Sequence, residues 1–249
     1  MRREGERALV IAHRGASGDR PENTLPAFEE AIAQGADMIE TDLHLSRDGV
    51  VVIHHDAGLE RLGQAGEIKG RTAAELAGLD AAPGRAETLR MPTLLDVLEG
   101  FGERIDWNLE LKLGLDAPYE GIEEIVLAEV ERRGLLPRVI FSCFDDGVLE
   151  RLRAGSRSAR IGVLVSPRAA DDFFGRAERV AAEAIHPHVL LVDEALVAGA
   201  HARGLAVYPY TANEPALMRH LLELNVDGVI TNFPRVLGDL LADRERASG

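Results

Sequence analysis

Four short segments bring together the residue types that acid–base and metal chemistry use: His13-Arg14-Gly15, Glu40-Thr41-Asp42, His55-Asp56 and Glu110-Leu111-Lys112. In an extended segment side chains alternate with period two, so Glu40 and Asp42 aim at one face of the same strand. Two anions where a strand would bury apolar groups are costly to desolvate unless a cation binds them. Glu110 supplies a third carboxylate, and three hard oxygen donors suit Mg²⁺ or Ca²⁺, with Mn²⁺ also accommodated, better than zinc. A cation held there can bind a phosphoryl oxygen, and two nearby histidines can divide the proton transfers of a displacement between them. The chemistry implied is metal-assisted cleavage of a phosphodiester.

Such a site needs strands to carry it, and the chain supplies them in regular alternation with helices. Apolar runs at Leu9–His13, Asp37–Leu43, Asp106–Leu111, Arg138–Ser142, Ile161–Val165, Ala184–His186, Ala206–Tyr210 and Gly228–Thr231 read as strands. A further short strand is expected at Val50–His54, after the Arg47-Asp48-Gly49 turn. Helical patterns occupy Leu25–Gln34, Leu94–Glu99, Glu120–Arg133, Asp145–Arg153, Ala170–Val180, Glu194–Arg203, Pro215–Leu224 and Pro234–Asp243. Eight strands alternating with eight helices predict an α/β fold, a closed (β/α)₈ TIM barrel, with 1–249 as one domain. Residues 56–92, rich in Gly, Ala and charge, break the rhythm and read as a small excursion beside the site. Arg133-Gly134 and Arg203-Gly204 stop helices, and Asn23 or Thr24 and Asn213 are candidate caps for the helices that follow them. In a barrel of this kind the chemistry gathers at the C-terminal ends of the strands, where His13, Glu40, Asp42, Glu110, Lys112, Ser142, His186, Tyr210 and Thr231 all fall.

Composition narrows the partners. With 28 basic against 42 acidic residues and a net charge of −14, a general attraction to nucleic acid or to an anionic membrane is excluded. Cys143 is the only cysteine, so no internal disulfide forms and a reducing cytoplasm is compatible. The apolar run Ala8–Ala12 is too short for a signal peptide core or a membrane span. A cytoplasmic protein without stable membrane association, monomer or homodimer, is the expectation.

The ordered motifs carry a resemblance. His13-Arg14-Gly15-Ala16, Pro21-Glu22-Asn23-Thr24, Glu40-Thr41-Asp42, His55-Asp56 with Leu59 and Arg61, and Leu109-Glu110-Leu111-Lys112 resemble the glycerophosphodiester phosphodiesterase family, as do Phe141–Asp145, Val207–Asn213 and Val226–Thr231. The resemblance implies hydrolysis of a small glycerophosphodiester to sn-glycerol 3-phosphate and an alcohol. It assigns Glu40, Asp42 and Glu110 to one divalent cation, His13 and His55 to acid–base catalysis, and Arg14 and Lys112 to the phosphate. Lys112 is one of only two lysines against 26 arginines, which favours a compact ammonium at that point. Two departures stand out: Tyr210 occupies a position where the family often has Trp, placing it at the glycerol or alcohol pocket, and Asn232 follows Thr231 where Asp is frequent.

The remaining polar residues read more plainly. His186 and His188 line the pocket mouth, His44, His201 and His220 are exposed, Cys143 is a buried small residue, and Glu120–Glu131 is a solvated helix face. Alternatives to the small-diester enzyme are a lysophospholipase D type activity on lipid substrates and a non-catalytic barrel that binds phosphodiesters.

Overall fold

Alternation along each strand sorts side chains to two sides of a curved sheet, and that sorting builds the molecule. The computed structural model describes residues 7–85, 87–168 and 171–248. The order is β1 (Leu9–His13), α1 (Leu25–Ala33), β2 (Met38–Leu45), β3 (Val51–Ile53), α2 (Ala73–Ala77), α3 (Leu94–Phe101), β4 (Asp106–Leu111), α4 (Ile122–Arg132), β5 (Val139–Cys143) and α5 (Asp146–Gly155). It continues with β6 (Arg160–Val165), α6 (Phe173–Arg179), β7 (Ala184–Pro187), α7 (Glu194–His201), β8 (Ala206–Val207), α8 (Pro215–Glu223), β9 (Gly228–Thr231) and α9 (Pro234–Ser248).

Eight strands pair in parallel in the order β8-β7-β6-β5-β4-β2-β1-β9, a (β/α)₈ barrel. The two ends of that path are joined by backbone bonds from Asp227 N to Val207 O at 3.1 Å and from Ile230 N to Pro209 O at 2.9 Å. The strand expected at Ala206–Tyr210 is therefore cut to two residues: Pro209 has no N–H to offer a ladder, and the chain runs on irregularly to Tyr210. β3 lies outside the barrel, paired antiparallel to the far end of β2. The helix start expected at Ala170 lies outside the described residues, and the helix there runs from Phe173.

Outward-facing Val10, Ala12, Ile39, Leu43, Trp107, Leu109, Phe141, Val163 and Ile185 pack beneath the helices. Phe28 of α1 meets the Trp107 ring edge-on at 5.3 Å between centroids. Inward, the floor of the barrel is a separate apolar layer of Ile11, Met38, Ile140, Ala184, Ala206, Tyr208 and Ile230. Above it the interior turns polar. Asn108, Ser142 and His186 are buried there, and Gly162 makes room, since a Cβ on it would lie 2.5 Å from His186 Nε2. His186 thus points into the barrel from β7 and is fully buried, where a pocket-mouth position had been expected.

Residues 56–92 carry two 3₁₀ turns, at Glu60–Leu62 and Ile68–Gly70, and the short α2, capped by Thr72 and Glu75 in a reciprocal capping box. Leu59, Ile68, Leu76 and Met91 pack with Val52 in an apolar cluster of their own. Among the described residues no helix is long and apolar enough to cross a membrane.

Candidate active site

Strand register assembles the site. Pairing of β1 with β2 sets His13 beside Glu40, and pairing of β2 with β4 sets Asp42 beside Glu110 and Glu40 beside Asn108. Glu40, Asp42 and Glu110 therefore crowd one end of the interior, each nearly inaccessible to solvent, with one oxygen from each lying within 4.8 Å of the other two. Burial, reinforced by the neighbouring Asp42 and Glu110 charges, drives the Glu40 carboxyl well above its usual range. Burial likewise raises Glu110. Asp42 goes the other way: burial opposes its charge, but Lys112 and Arg14 hold it far below the ordinary carboxylate range.

Glu40 Oε1 and Asp42 Oδ1 are buried and accept no hydrogen bond. Buried oxygens are rarely left so, and a cluster of hard oxygens with spare lone pairs is what a divalent cation binds. The residues present fit such an ion.

Two cations of the chain face the cluster. Lys112, one residue past β4, donates to Glu110 Oε1 at 2.7 Å and lies 3.3 Å from Asp42 Oδ1. Its burial opposes the charge, but Glu110 and Asp42 raise its pKa above the ordinary lysine value. Arg14 takes a left-handed backbone, φ +57°, unusual for a residue with a side chain. That turn aims its N–H at both the carbonyl of Glu40 (2.8 Å) and Glu40 Oε2 (3.1 Å), while its guanidinium lies 3.2 Å from Asp42 Oδ2 and 3.0 Å from Glu22. Gly15 follows at φ +82°, and a Cβ there would sit 2.7 Å from the Ala27 backbone. The turn that aims Arg14 consequently needs a glycine.

The two histidines are held differently. His13 Nδ1 donates to Asn232 Oδ1 at 2.7 Å, leaving Nε2 facing Glu40 Oε2 at 3.9 Å. Burial, aided by the Arg14 charge, lowers its pKa to about 4. His55 Nδ1 donates to Asp56 Oδ1 at 2.7 Å, and Asp56 also receives Arg61 at 3.3 Å. Burial would raise Asp56, but the His55 hydrogen bond and charge and those of Arg61 bring it below its usual value. Both imidazoles line one cavity of about 280 Å³ with Arg14, Glu40, Asn108, Glu110, Lys112, His188 and an apolar flank of Phe144, Leu164, Tyr210 and Ile230. Tyr210 stands against the rings of Phe144 and His188 and donates its hydroxyl to Val165 O at 3.2 Å. All eight residues singled out from the sequence, His13, Arg14, Glu40, Asp42, His55, Glu110, Lys112 and Tyr210, thus gather at one end of the barrel.

Residues 13–236 match the profile of the glycerophosphoryl diester phosphodiesterase family. The chain belongs to that family. A glycerophosphodiester phosphodiesterase from Caldanaerobacter subterraneus subsp. tengcongensis is 34% identical over 241 residues, covering 94% of this chain and 98% of the relative. A Silicibacter pomeroyi structure superposes with a TM-score of 0.87 at 27% identity, covering 97% of this chain and 95% of that one. An Oleispira antarctica phosphodiesterase, solved in complex with the product sn-glycerol-3-phosphate, has a TM-score of 0.79 at 32% identity over 92% of this chain and 94% of its own.

Within this family member the partners of the site residues are where motif reading fell short. Asn23 does not cap α1; Thr24 does, and Asn23 donates to Asp42 Oδ2 at 2.7 Å and accepts from Thr41. Asn213 does not cap α8. Its carbonyl oxygen accepts the Asn232 N–H at 2.9 Å and so holds the partner of His13. His44 is not exposed: it is buried between Tyr119 Oη, 2.7 Å from its Nδ1, and the His55 carbonyl, 3.1 Å from its Nε2. A carbonyl only accepts, so Nε2 carries the hydrogen and the tyrosine donates to Nδ1. A signal for His44 did exist, because it continues the Glu40, Asp42 alternation onto the same face. His201 is half-buried against Asp227 at 2.8 Å, and Glu123 is buried against Arg151 rather than solvated. Cys143 is buried as expected, donates to Leu111 O, and has its thiol pushed up to about 12 by burial.

Proposed function

We propose that this chain hydrolyses glycerophosphodiesters to sn-glycerol 3-phosphate and an alcohol, using one divalent cation and the His13/His55 pair. What carries the reading is a single cavity lined by Glu40 and Glu110 of the three-carboxylate cluster, by two imidazoles with one free nitrogen each, and by the cations Arg14 and Lys112. The product bound to the Oleispira relative agrees with it.

Glu40, Asp42 and Glu110 would hold Mg²⁺ or Ca²⁺, with Mn²⁺ as a substitute. The ion would supply a positive centre for the phosphoryl oxygens and for the charge that grows on them. Arg14 and Lys112 bind and orient the phosphate. His13, neutral and with Nε2 free, takes the proton from the attacking water, or from the substrate's own 2-hydroxyl, in which case a water then opens the cyclic phosphate. His55, whose Nδ1–H is anchored on a carboxylate, gives a proton to the departing alkoxide from Nε2. Tyr210 and Phe144 shape the wall that meets the organic part of the substrate. The same reading treats 1–249 as one domain acting in the cytoplasm, as monomer or homodimer, on a dissolved small molecule, with no nucleic-acid partner; the net charge of −14 and the lone buried thiol support it.

The deciding experiment assays metal-stripped protein with Mg²⁺, Ca²⁺ or Mn²⁺ across a panel of glycerophosphodiesters. Glycerol 3-phosphate should appear with metal and vanish without it, and Glu40→Ala should abolish turnover in a folded protein; substantial turnover by that variant would sink the model.

One observation favours a second reading, lysophospholipase D type cleavage. Of the four large apolar side chains most exposed among the described residues, Leu190, Leu115 and Phe144 follow the C-terminal ends of β7, β4 and β5, and Leu95 lies on α3. Faster turnover of lysophosphatidylcholine than of glycerophosphocholine would select it.

A further inference from the structure

A second cavity, of about 320 Å³, lies between the barrel and residues 56–92. Its walls are the loop from Ser17 to Asn23, the end of β3 at Ile53 and His54, the turn bearing Arg61 and Leu62, and the segment from Ala81 to Arg85. None of the side chains lining it lines the cavity that holds the carboxylate cluster. The two are nonetheless separated by a partition one side chain thick. Arg14, on the catalytic side, contacts Glu22, which lines the second cavity; Glu22 meets Arg61 at 3.0 Å, Arg61 meets Asp56 at 3.3 Å, and Asp56 holds His55.

The charge of this cavity runs against that of the chain. Arg20, Arg61 and Arg85 line it, with Glu22 the only acid among its lining residues, in a protein of net charge −14. Arg61 is engaged by Glu22 and Asp56, and Arg20 by Glu30. The Arg85 guanidinium has no hydrogen-bond or ion-pair partner among the described residues. A second polar group is also left over. His54 is only 7% exposed, lines the cavity, and its Nε2 makes no hydrogen bond. A buried nitrogen without a partner and a guanidinium without one thus line the same cavity, which can take a hydrogen-bond acceptor.

We propose that this cavity is an anion subsite that takes a carboxylate or phosphate carried by the alcohol half of the substrate. The inference rests on the proposed reading in which His55 protonates the departing alkoxide. The alcohol then leaves on the His55 side, and a substituent on it runs over the Asp56–Arg61 pair toward Arg85 and His54. Arg85 and Arg20 supply the fork-shaped donors that suit such oxyanions.

The test compares two diesters that differ by one carboxylate, sn-glycero-3-phosphoserine and sn-glycero-3-phosphoethanolamine, on the metal-loaded enzyme and on its Arg20→Ser/Arg85→Ser variant. Both positions are exposed, and an unchanged melting temperature checks that the variant is folded. The parent should favour the serine diester in kcat/KM by about tenfold, and the variant should lose that preference while its ethanolamine turnover stays within about twofold. Arg85→Glu should invert the preference. Equal handling of the two diesters by the parent, or equal loss of both in the variant, overturns the subsite; ethanolamine turnover with no serine preference leaves the hydrolase reading intact and removes only this one. Inorganic phosphate added to the ethanolamine reaction distinguishes the anion's source. An identical response in parent and variant supports a group borne by the substrate, whereas a response seen only in the parent reassigns the cavity to a free effector anion.

Discussion

The two imidazoles of the site face the same cluster from supports of opposite character. His13 ends a barrel strand, its side chain is 17% exposed, and the group on its Nδ1 is the neutral amide of Asn232. His55 sits on a loop beyond β3, its side chain is 30% exposed, and the group on its Nδ1 is the carboxylate of Asp56. Each partner fixes Nδ1 as the donor and leaves Nε2 as the nitrogen that can meet a substrate, but one partner is neutral and the other is a carboxylate. His13 is the ring that burial and the Arg14 charge keep neutral, whereas His55 stands nearer to solvent with a carboxylate behind it.

The comparison breaks most sharply at the histidines themselves. His13→Ala and His55→Ala should each lower kcat on glycerophosphocholine by ~10²–10⁴-fold. A diester whose alcohol departs without needing a proton, such as a nitrophenyl ester, should restore most of the turnover of His55→Ala and none of that of His13→Ala. Restoration in the reverse order would exchange the two roles. Exchanging the partners is the next step down: Asp56→Asn should cost roughly tenfold in kcat, with KM little changed. Pre-steady-state release of the alcohol would report that loss directly.

A pH scan that compares the two rings meets a limit set elsewhere in the barrel. Burial lowers His186 to about 3, so it stays neutral in the folded chain while its unfolded counterpart protonates near 6.5. The unfolded state then binds the extra proton, and stability falls as pH drops from about 6.5 toward 3, by up to about 1.4 kcal/mol per pH unit. Denaturant midpoints at pH 7 and 5 should differ less in His186→Gln than in the parent. The smallest effect belongs to Tyr119→Phe. It removes one buried hydrogen bond to His44, worth about 1 kcal/mol, and should loosen the His55 carbonyl enough to lower kcat a few-fold without moving the metal dependence.

What the sequence revealed and what it hid divide along the same line. Residues whose job follows from their own chemistry were legible. Alternation placed Glu40 and Asp42 on one face, the rhythm of the chain predicted the barrel that brings Glu110 and Lys112 to them, and the resemblance supplied His13 and His55 as the pair. The cap expected at Asn23 or Thr24 falls to Thr24, while the roles of Asn23, Asn213 and His44 were hidden because their partners are distant in the chain or across the sheet. A helix-capping pattern is local, and nothing local says that Asn213 will turn away from α8 to hold Asn232. The shortening of β8 was legible in principle from Pro209, but the apolar run around it argued for a full strand. The burial of His186 depends on Gly162 of the neighbouring strand, a pairing that no single-segment reading contains.

The contact between His13 and Asn232 spans 219 residues of chain, and it forms only where the first and last barrel strands meet. β1, β2 and β4 are enough to gather the carboxylates, whereas the partner that selects the His13 tautomer comes from beyond β9, docked against β1. Gly18, where a Cβ would lie 2.2 Å from the Phe233 ring, fits the two ends together at that same junction. The last βα unit of the barrel therefore completes the first: the acidic cluster is gathered by β1, β2 and β4, but the hold on His13 comes from the far end of the fold.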